Sequence, residues 1–154
     1  MSKWNLIIDI ENCTNCNMCV LACQDEHVDN TFPGYAEEMP KHGARWIEIM
    51  RKERGQAPMI DVAYMPVMCQ HCEDAPCVAV CPTGASFRRE DGIVLVNKHT
   101  CIGCRYCMMA CPFNARSFVH EDVTGQKSYS PRGKGTVESC TLCANRVDQD
   151  RTPA

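Results

Sequence analysis

The sequence predicts an α+β protein of short strands and short helices, held together by cysteine chemistry more than by a large apolar core. Three observations carry that expectation. Fourteen of the 154 residues are cysteine, a density that in a short chain signals covalent or metal-held scaffolding. Only 6% of the chain is aromatic, so the single core that such a length can bury lacks bulky filler. The cysteines also repeat as a pattern: Cys13, Cys16, Cys19 and Cys23; Cys69, Cys72, Cys77 and Cys81; Cys101, Cys104, Cys107 and Cys111; then Cys140 and Cys143. The first and third groups share the spacing C-x2-C-x2-C-x3-C, and the second is two residues longer in its middle gap, which makes an internal repeat.

The elements between these groups are brief. Trp4, Leu6, Ile8 and Ile10 alternate with polar Asn5 and Asp9, which predicts a half-buried strand, and Ile47 and Ile49 alternate around Glu48 in the same way. Ser86 to Arg89 and Ile93 to Asn97 flank Glu90-Asp91-Gly92 and read as a hairpin, with Gly92 in the left-handed turn position. Helical pieces are expected over Met18 to Glu26, Arg105 to Cys111 and Thr141 to Asp148. Pro82 and Pro112 block continuation directly after Cys81 and Cys111. Asp25 to Gln56 and Thr124 to Thr136 read as insertions, the second as a Gly- and Ser-rich surface loop.

The formal charge of −3, from 16 basic and 19 acidic residues, argues against a phosphate-backbone binder, which would be strongly basic. The first ten residues are interrupted by Asn5 and Asp9 and lack the apolar stretch of a secretory signal. No apolar run approaches the roughly 20 residues that a bilayer requires. The expectation is a protein of the reducing cytoplasm, where closely spaced cysteines point to metal or redox centres. Export together with a signal-bearing partner, to the periplasm, is the alternative.

In C-x2-C-x2-C-x3-C the first three sulfurs ride on a tight loop that wraps one face of an iron–sulfur cubane. The fourth sits one helical turn further on and ligates the other cluster of a pair. Cys81-Pro82 and Cys111-Pro112 complete that pattern. Zinc also takes four thiolates, but it pairs two C-x2-C knuckles across a longer spacer and has no use for a third cysteine three residues on. A disulfide framework has little place in a chain without a signal. The crossing rule then predicts the ligand sets. Cys69, Cys72, Cys77 and Cys111 hold one cluster, and Cys101, Cys104, Cys107 and Cys81 a second. Cys13, Cys16 and Cys19 serve a third, while Cys140, Cys143 and Cys23 serve a fourth.

Other residues carry weaker signals. His71 reads as a hydrogen-bond donor near a cluster sulfur, with ligand or proton site as the alternatives. Arg105 is either a charge that eases addition of an electron or a solvent-facing one. The run Arg45-Trp46 to Arg51-Lys52-Glu53-Arg54 is either a dock for an acidic partner or a solvated strand edge. The nine methionines read as core filler. No Gly-rich phosphate loop, Ser/His/Asp set or carboxylate pair stands in a motif, so no catalytic residue is expected in this chain.

Taken together, these motifs resemble the four-cluster, ferredoxin-like small subunits of molybdopterin oxidoreductases of the dimethyl-sulfoxide-reductase superfamily. The resemblance rests on Ile8-Asp9 before Cys13, on Pro66, Cys69-Gln70-His71-Cys72 and Ala75-Pro76-Cys77, and on Cys81-Pro82-Thr83-Gly84-Ala85. It extends through Asp91-Gly92-Ile93-Val94, Cys101-Ile102-Gly103-Cys104, Ala110-Cys111-Pro112 and Cys140-Thr141-Leu142-Cys143. The insertion, with Asp25-Glu26-His27, Asn30, Pro33-Gly34-Tyr35, Gly43, Arg45-Trp46 and Arg51 to Gly55, is similar to that of the pyrogallol-phloroglucinol transhydroxylase small subunits.

The resemblance implies two ferredoxin-like modules: an outer one on 1–65 plus 112–154, and an inner one on 66–111. It implies four 4Fe–4S clusters in a row and docking to a large catalytic subunit that carries a molybdenum or tungsten bis-pterin. Electrons would pass between that centre and a membrane quinone-reactive subunit or a soluble carrier. In the family the fourth motif continues with a spacer and C-x3-C. Ala144 to Ala154 match the spacer, so two further ligands, one for each outer cluster, are expected beyond Ala154. Phe32, Tyr35 and Trp46 with Arg45 and Arg51 are expected at the contact with the catalytic subunit, packing on the chain's own modules being the alternative. A free-standing polyferredoxin, a hydrogenase-type component and a zinc-held scaffold are the competing functions.

Overall fold

The computed structural model describes residues 3–27, 46–123 and 126–154. Among the described residues four helices and six strands follow one another in the order α1 (Met18–His27), β1 (Ile47–Gln56), β2 (Met59–Met68), α2 (Pro76–Ala79), β3 (Ser86–Arg88), β4 (Val94–Val96), α3 (Tyr106–Met109), β5 (Arg116–Phe118), β6 (Val137–Ser139) and α4 (Ala144–Val147). The strands form three separate antiparallel pairs, β1–β2, β3–β4 and β5–β6. No helix among the described residues is long and apolar enough to cross a membrane. Buried apolar side chains gather in three small clusters, two of which contain cysteines.

A twofold repeat organises the middle of the chain. Pro76 opens α2 from the first helical turn, where its missing N–H costs nothing. Both α2 and α3 span a single turn, and each delivers a cysteine, Cys81 or Cys111, just past its end, followed by Pro82 or Pro112. A tight turn then reverses the chain through Gly84 (φ +65°) or Asn114 (φ +49°), residue types that tolerate the left-handed region. Gly84 N–H donates to Cys81 O at 3.3 Å and Asn114 N–H to Cys111 O at 3.2 Å. Ala85 and Ala115 are buried next, and β3 and β5 begin at Ser86 and Arg116. Val94 pairs with Arg88 and Val137 with Phe118, so β4 and β6 hold equivalent places. Val94 and Val137 form one cluster with Cys77 and Cys107.

The hairpin around Gly92 (φ +91°) forms as expected. The strand expected over Trp4 to Ile10 does not. Among the described residues its one backbone link to a distant segment is Trp4 N–H to Asp91 O at 3.3 Å. Trp4, Leu6 and Ile10 are exposed, and only Ile8 packs inward, against the cluster of Cys23, Trp46, Met68 and Cys140. Alternation predicts a strand only where a paired edge exists, and no ladder reaches this segment.

Two further expectations are revised. Ile47 and Ile49 do lie in a strand, but it runs ten residues and pairs along its full length with β2, from Ile47 opposite Met68 to Gln56 opposite Met59. Burial in β2 alternates at Val62, Tyr64 and Pro66, a pattern that the near-continuous apolar sequence of 59–68 does not show. Helices α3 and α4 are shorter than the expected Arg105–Cys111 and Thr141–Asp148, because Arg105 (φ +64°) and Cys143 (φ +48°) are left-handed and delay helical geometry.

Within 126–136 the chain is more than a surface loop. Arg132 and Thr136 are buried, Lys127 Nζ donates to Asp25 O at 2.8 Å, and Tyr129 Oη donates to Glu26 O at 3.2 Å. Ser130 Oγ lies 2.6 Å from His27 Nδ1. This stretch therefore closes over the end of α1. Phe32, Tyr35 and Arg45 lie outside the described residues. Trp46 is turned inward at 3% exposure, stacked on His27 at 4.5 Å with the Arg132 guanidinium 5.0 Å from its ring.

Candidate iron–sulfur centres

Each cysteine group is built on the same backbone device. The residue two past the first cysteine is left-handed in every group: Asn15 (φ +57°), His71 (φ +45°), Gly103 (φ +70°) and Leu142 (φ +52°). Asn17 and Arg105, each just past a second cysteine, are left-handed as well. Left-handed residues among right-handed ones turn successive N–H groups toward a common concavity, the arrangement that binds anions. Leu142 is one such donor, and backbone N–H groups elsewhere in the fold also point at cysteine sulfur. Ser86 N lies 3.4 Å from Cys81 Sγ, Leu142 N 3.5 Å from Cys140 Sγ and Ala154 N 3.5 Å from Cys143 Sγ. At Gly103 the device has no room for a side chain, since a Cβ would stand 2.1 Å from Gly135 O.

The fold brings distant groups together. Cys77 lies within electrostatic reach of Cys111, Cys107 and Cys72, and Cys69 of Cys77 and Cys111. Cys23 is surrounded by Cys140, Cys143 and Cys19, and Cys140 by Cys69 and Cys143. Burial raises the thiols of Cys69 and Cys77, and pushes Cys140 up to about 11. Burial, reinforced by Cys140 and Cys143, drives Cys23 higher still. Cys81 is the exception: burial raises it, but the Ser86 N–H and the Thr83 hydroxyl outweigh that and bring it to about 7. All fourteen cysteines are free thiols. Among the described residues no three His, Cys, Asp or Glu side chains converge on a point that suits a single ion.

The polar groups around Cys69 and Cys77 fit an electron-rich inorganic centre. His71 Nδ1 accepts the Val94 N–H at 3.0 Å, which places the ring proton on Nε2. That Nε2 is buried without a protein acceptor, and burial, aided by Arg116, lowers the imidazole to about 4 so that it stays neutral. Arg116 Nη2 is a second buried donor without an acceptor. Cubane sulfides and thiolate sulfurs are the acceptors such donors need, and buried donors are otherwise costly to leave unmade. Neutral His71 thus has the form expected of a hydrogen-bond donor. Arg105 is exposed, with its guanidinium 4.0 Å from the Phe118 ring centroid.

Sequence reasoning missed the polar clamps that set these groups in place. Glu26, buried on α1, accepts from Asn145 Nδ2 at 2.7 Å and from Arg146 Nε at 2.9 Å, both on α4. It therefore ties the helix carrying Cys23 to the one that follows Cys143. Arg132 and Glu138 form a buried two-point ion pair at 2.8 and 3.2 Å. Lys98 Nζ donates to Val137 O, and burial brings its ammonium down to about 8. Spacing of cysteines gives no hint of these pairs, which join positions 6, 39 and about 120 residues apart.

Two family models, both described as 4Fe-4S dicluster domain, match residues 60–154 and 12–85. The chain is 38% identical to the pyrogallol hydroxytransferase small subunit of Pelobacter acidigallici, over 97% of this chain and 50% of that protein. It is 36% identical to the thiosulfate reductase electron transfer subunit of Salmonella typhi, over 99% of this chain and 69% of that one. With the arsenate respiratory reductase iron-sulfur subunit of a Shewanella species it shares 31% identity over 99% of this chain and 76% of the relative. Against four further relatives the chain spans between 60% and 64% of the relative's length.

Proposed function

This chain belongs to the 4Fe-4S dicluster iron–sulfur subunits of the dimethyl-sulfoxide-reductase family, and from that premise we propose that it relays electrons between a large molybdopterin catalytic subunit and a membrane quinone-reactive subunit or soluble carrier. Its two dicluster domains and fourteen cysteines are consistent with four 4Fe–4S clusters. Bound cubanes supply one-electron chemistry over potentials from about −700 to +450 mV, set by hydrogen bonds, charge and exposure. The chain's part is to hold them close together, keep water away and shape the charge around them.

The proposed ligands are Cys69, Cys72, Cys77 and Cys111 for one inner centre and Cys81, Cys101, Cys104 and Cys107 for the other. Cys13, Cys16 and Cys19 serve one outer centre, and Cys23, Cys140 and Cys143 the other. The proximity of Cys111 to Cys77, and of Cys23 to Cys140 and Cys143, supports this crossed assignment. We extend the inner module from 66–111 through β5 and β6, because Val137 packs with Cys77 and Cys107. One observation carries the electron-relay reading: Cys140 of the outer pair meets Cys69 of the inner pair across a shared apolar cluster. A relay needs such continuity, whereas a scaffold does not.

Two surfaces suit docking. Ile102, Tyr106 and Met109 are exposed beside exposed Cys104. The β1–β2 ribbon is exposed over 51–61, ending in Met59 at 83% exposure. A two-stranded ribbon of this kind is marginal alone and gains stability by packing on a partner. Residence in the cytoplasm follows from the same reading, with export beside a signal-bearing partner as the alternative that cell fractionation distinguishes. Purification of the native complex is the test. Iron and acid-labile sulfide in equal amounts, broad visible absorption and a co-purifying molybdenum- or tungsten-bearing large chain are expected. A colourless zinc protein, or an iron–sulfur protein that elutes alone, would overturn the proposal.

A further inference from the structure

Arg116 breaks the symmetry of the pseudo-twofold repeat with a buried charge. It opens β5 where Ser86 opens β3, each five residues past the crossing cysteine, Cys111 or Cys81. The two meet: Arg116 Nη1 donates to Ser86 Oγ at 2.7 Å. Arg116 is only 4% exposed, its Nη2 has no hydrogen-bond partner, and no carboxylate among the described residues stands at ion-pair distance from it.

A guanidinium cannot shed its proton inside a protein, and an uncompensated buried charge is strongly destabilising. The other buried cations of the neighbourhood have answers. Arg132 is clamped by Glu138, and Lys98 faces the same carboxylate and Cys101. Arg116 faces thiols instead. It lies within electrostatic reach of Cys69 and Cys77, with His71 beside them.

We infer that Arg116 is the buried counter-cation of the centre held by Cys69, Cys72, Cys77 and Cys111, and that it makes this centre easier to reduce than its twin on Cys81, Cys101, Cys104 and Cys107. The inference rests on the ligand assignment proposed above. Reduction adds one electron to an already anionic thiolate-bound centre, so a fixed positive charge in a water-poor site favours the reduced form more than the oxidised one. At the equivalent place the twin has the neutral hydroxyl of Ser86. Arg116 adds a buried charge of its own to the other differences around the two centres, which include Gly103 in place of His71 and Lys98 facing Cys101.

The experiment compares the parental complex with Arg116→Gln and Arg116→Lys by redox-poised electron paramagnetic resonance, with iron and sulfide assayed on the same samples. Arg116→Gln is expected to load fully and to lower the reduced-to-oxidised ratio of the first centre at least tenfold at a given ambient potential, a shift of about 59 mV for one electron. The twin should move less than threefold. Arg116→Lys should restore most of the shift. Arg116→Gln that loads iron and titrates like the parent overturns the inference, as does Arg116→Lys that matches Arg116→Gln. Loss of iron from both variants assigns Arg116 a packing role and overturns it too. Loss from Arg116→Gln alone, with Arg116→Lys loaded and titrating like the parent, supports the counter-cation. A parental complex without cubane signals would instead defeat the proposed function itself.

Discussion

Removing the Glu26 carboxylate should loosen α1 from α4 and release the centre proposed on Cys23, Cys140 and Cys143 while sparing the inner pair. Glu26 is 6% exposed and gathers three donors: Asn145 Nδ2 at 2.7 Å, Arg146 Nε at 2.9 Å and Arg146 Nη2 at 2.7 Å. Burial alone would raise its carboxyl, but the bonds from Arg146 and Asn145 more than offset that and hold it below the usual range. Deleting one partner of a buried ion pair costs roughly 3–5 kcal/mol. The Arg146 side chain is 28% exposed and can recover water, so about 2–3 kcal/mol is the appropriate figure for Glu26→Ala. Because the lost bonds join two helices locally, the cost should appear as sub-global opening, with the open population rising roughly 30- to 150-fold. Hydrogen exchange read by mass spectrometry on the assembled complex should show faster exchange across Met18–His27 by that factor, with amides of β3 and β4 unchanged. Iron should fall by one centre before any loss from the others. Parental exchange rates in α1, or equal loss of iron from every centre, would refute the clamp.

Two other outcomes follow from the same physics. Gly103→Ala should abolish assembly of the centre proposed on Cys101, because its Cβ meets Gly135 O at 2.1 Å and Phe118 Cε2 at 3.1 Å. Gly84→Ala has nothing within 4 Å at φ +65° and should cost only about 1 kcal/mol in urea titration; equal behaviour of the two would refute the steric account. His27 is buried between Trp46, Ser130, Glu26, Glu138, Arg132 and Lys98, and burial lowers it to about 4. The unfolded chain takes up that proton near pH 6.5 while the folded one does not until about pH 4, so stability should fall with acid across this window by up to about 3 kcal/mol. His27→Gln should flatten the pH dependence of the urea midpoint over pH 4–6.5; an unchanged slope would show that His27 does not carry it.

Much of this protein was legible in the cysteines. Their spacing alone indicated cubane chemistry, since a sulfur at positions one, four and seven can wrap one face of a cluster while a fourth, a turn later, points elsewhere. Gly92 marked the β3–β4 hairpin for a similar reason: a local backbone requirement leaves a local residue signature. The same rule paired the first and fourth groups, yet it left open how the fold brings them together. That depends on Glu26 meeting Arg146, 120 positions away, and on 126–136 folding over α1. Nor did alternation at Trp4 to Ile10 foretell that no ladder would reach it, because a strand is a property of two segments. Arg116 is the sharpest case. In sequence it is one arginine after Asn114-Ala115, indistinguishable from a solvated one; the tertiary structure alone places it inside, without a carboxylate and against Ser86, where its charge acts on sulfur instead of water.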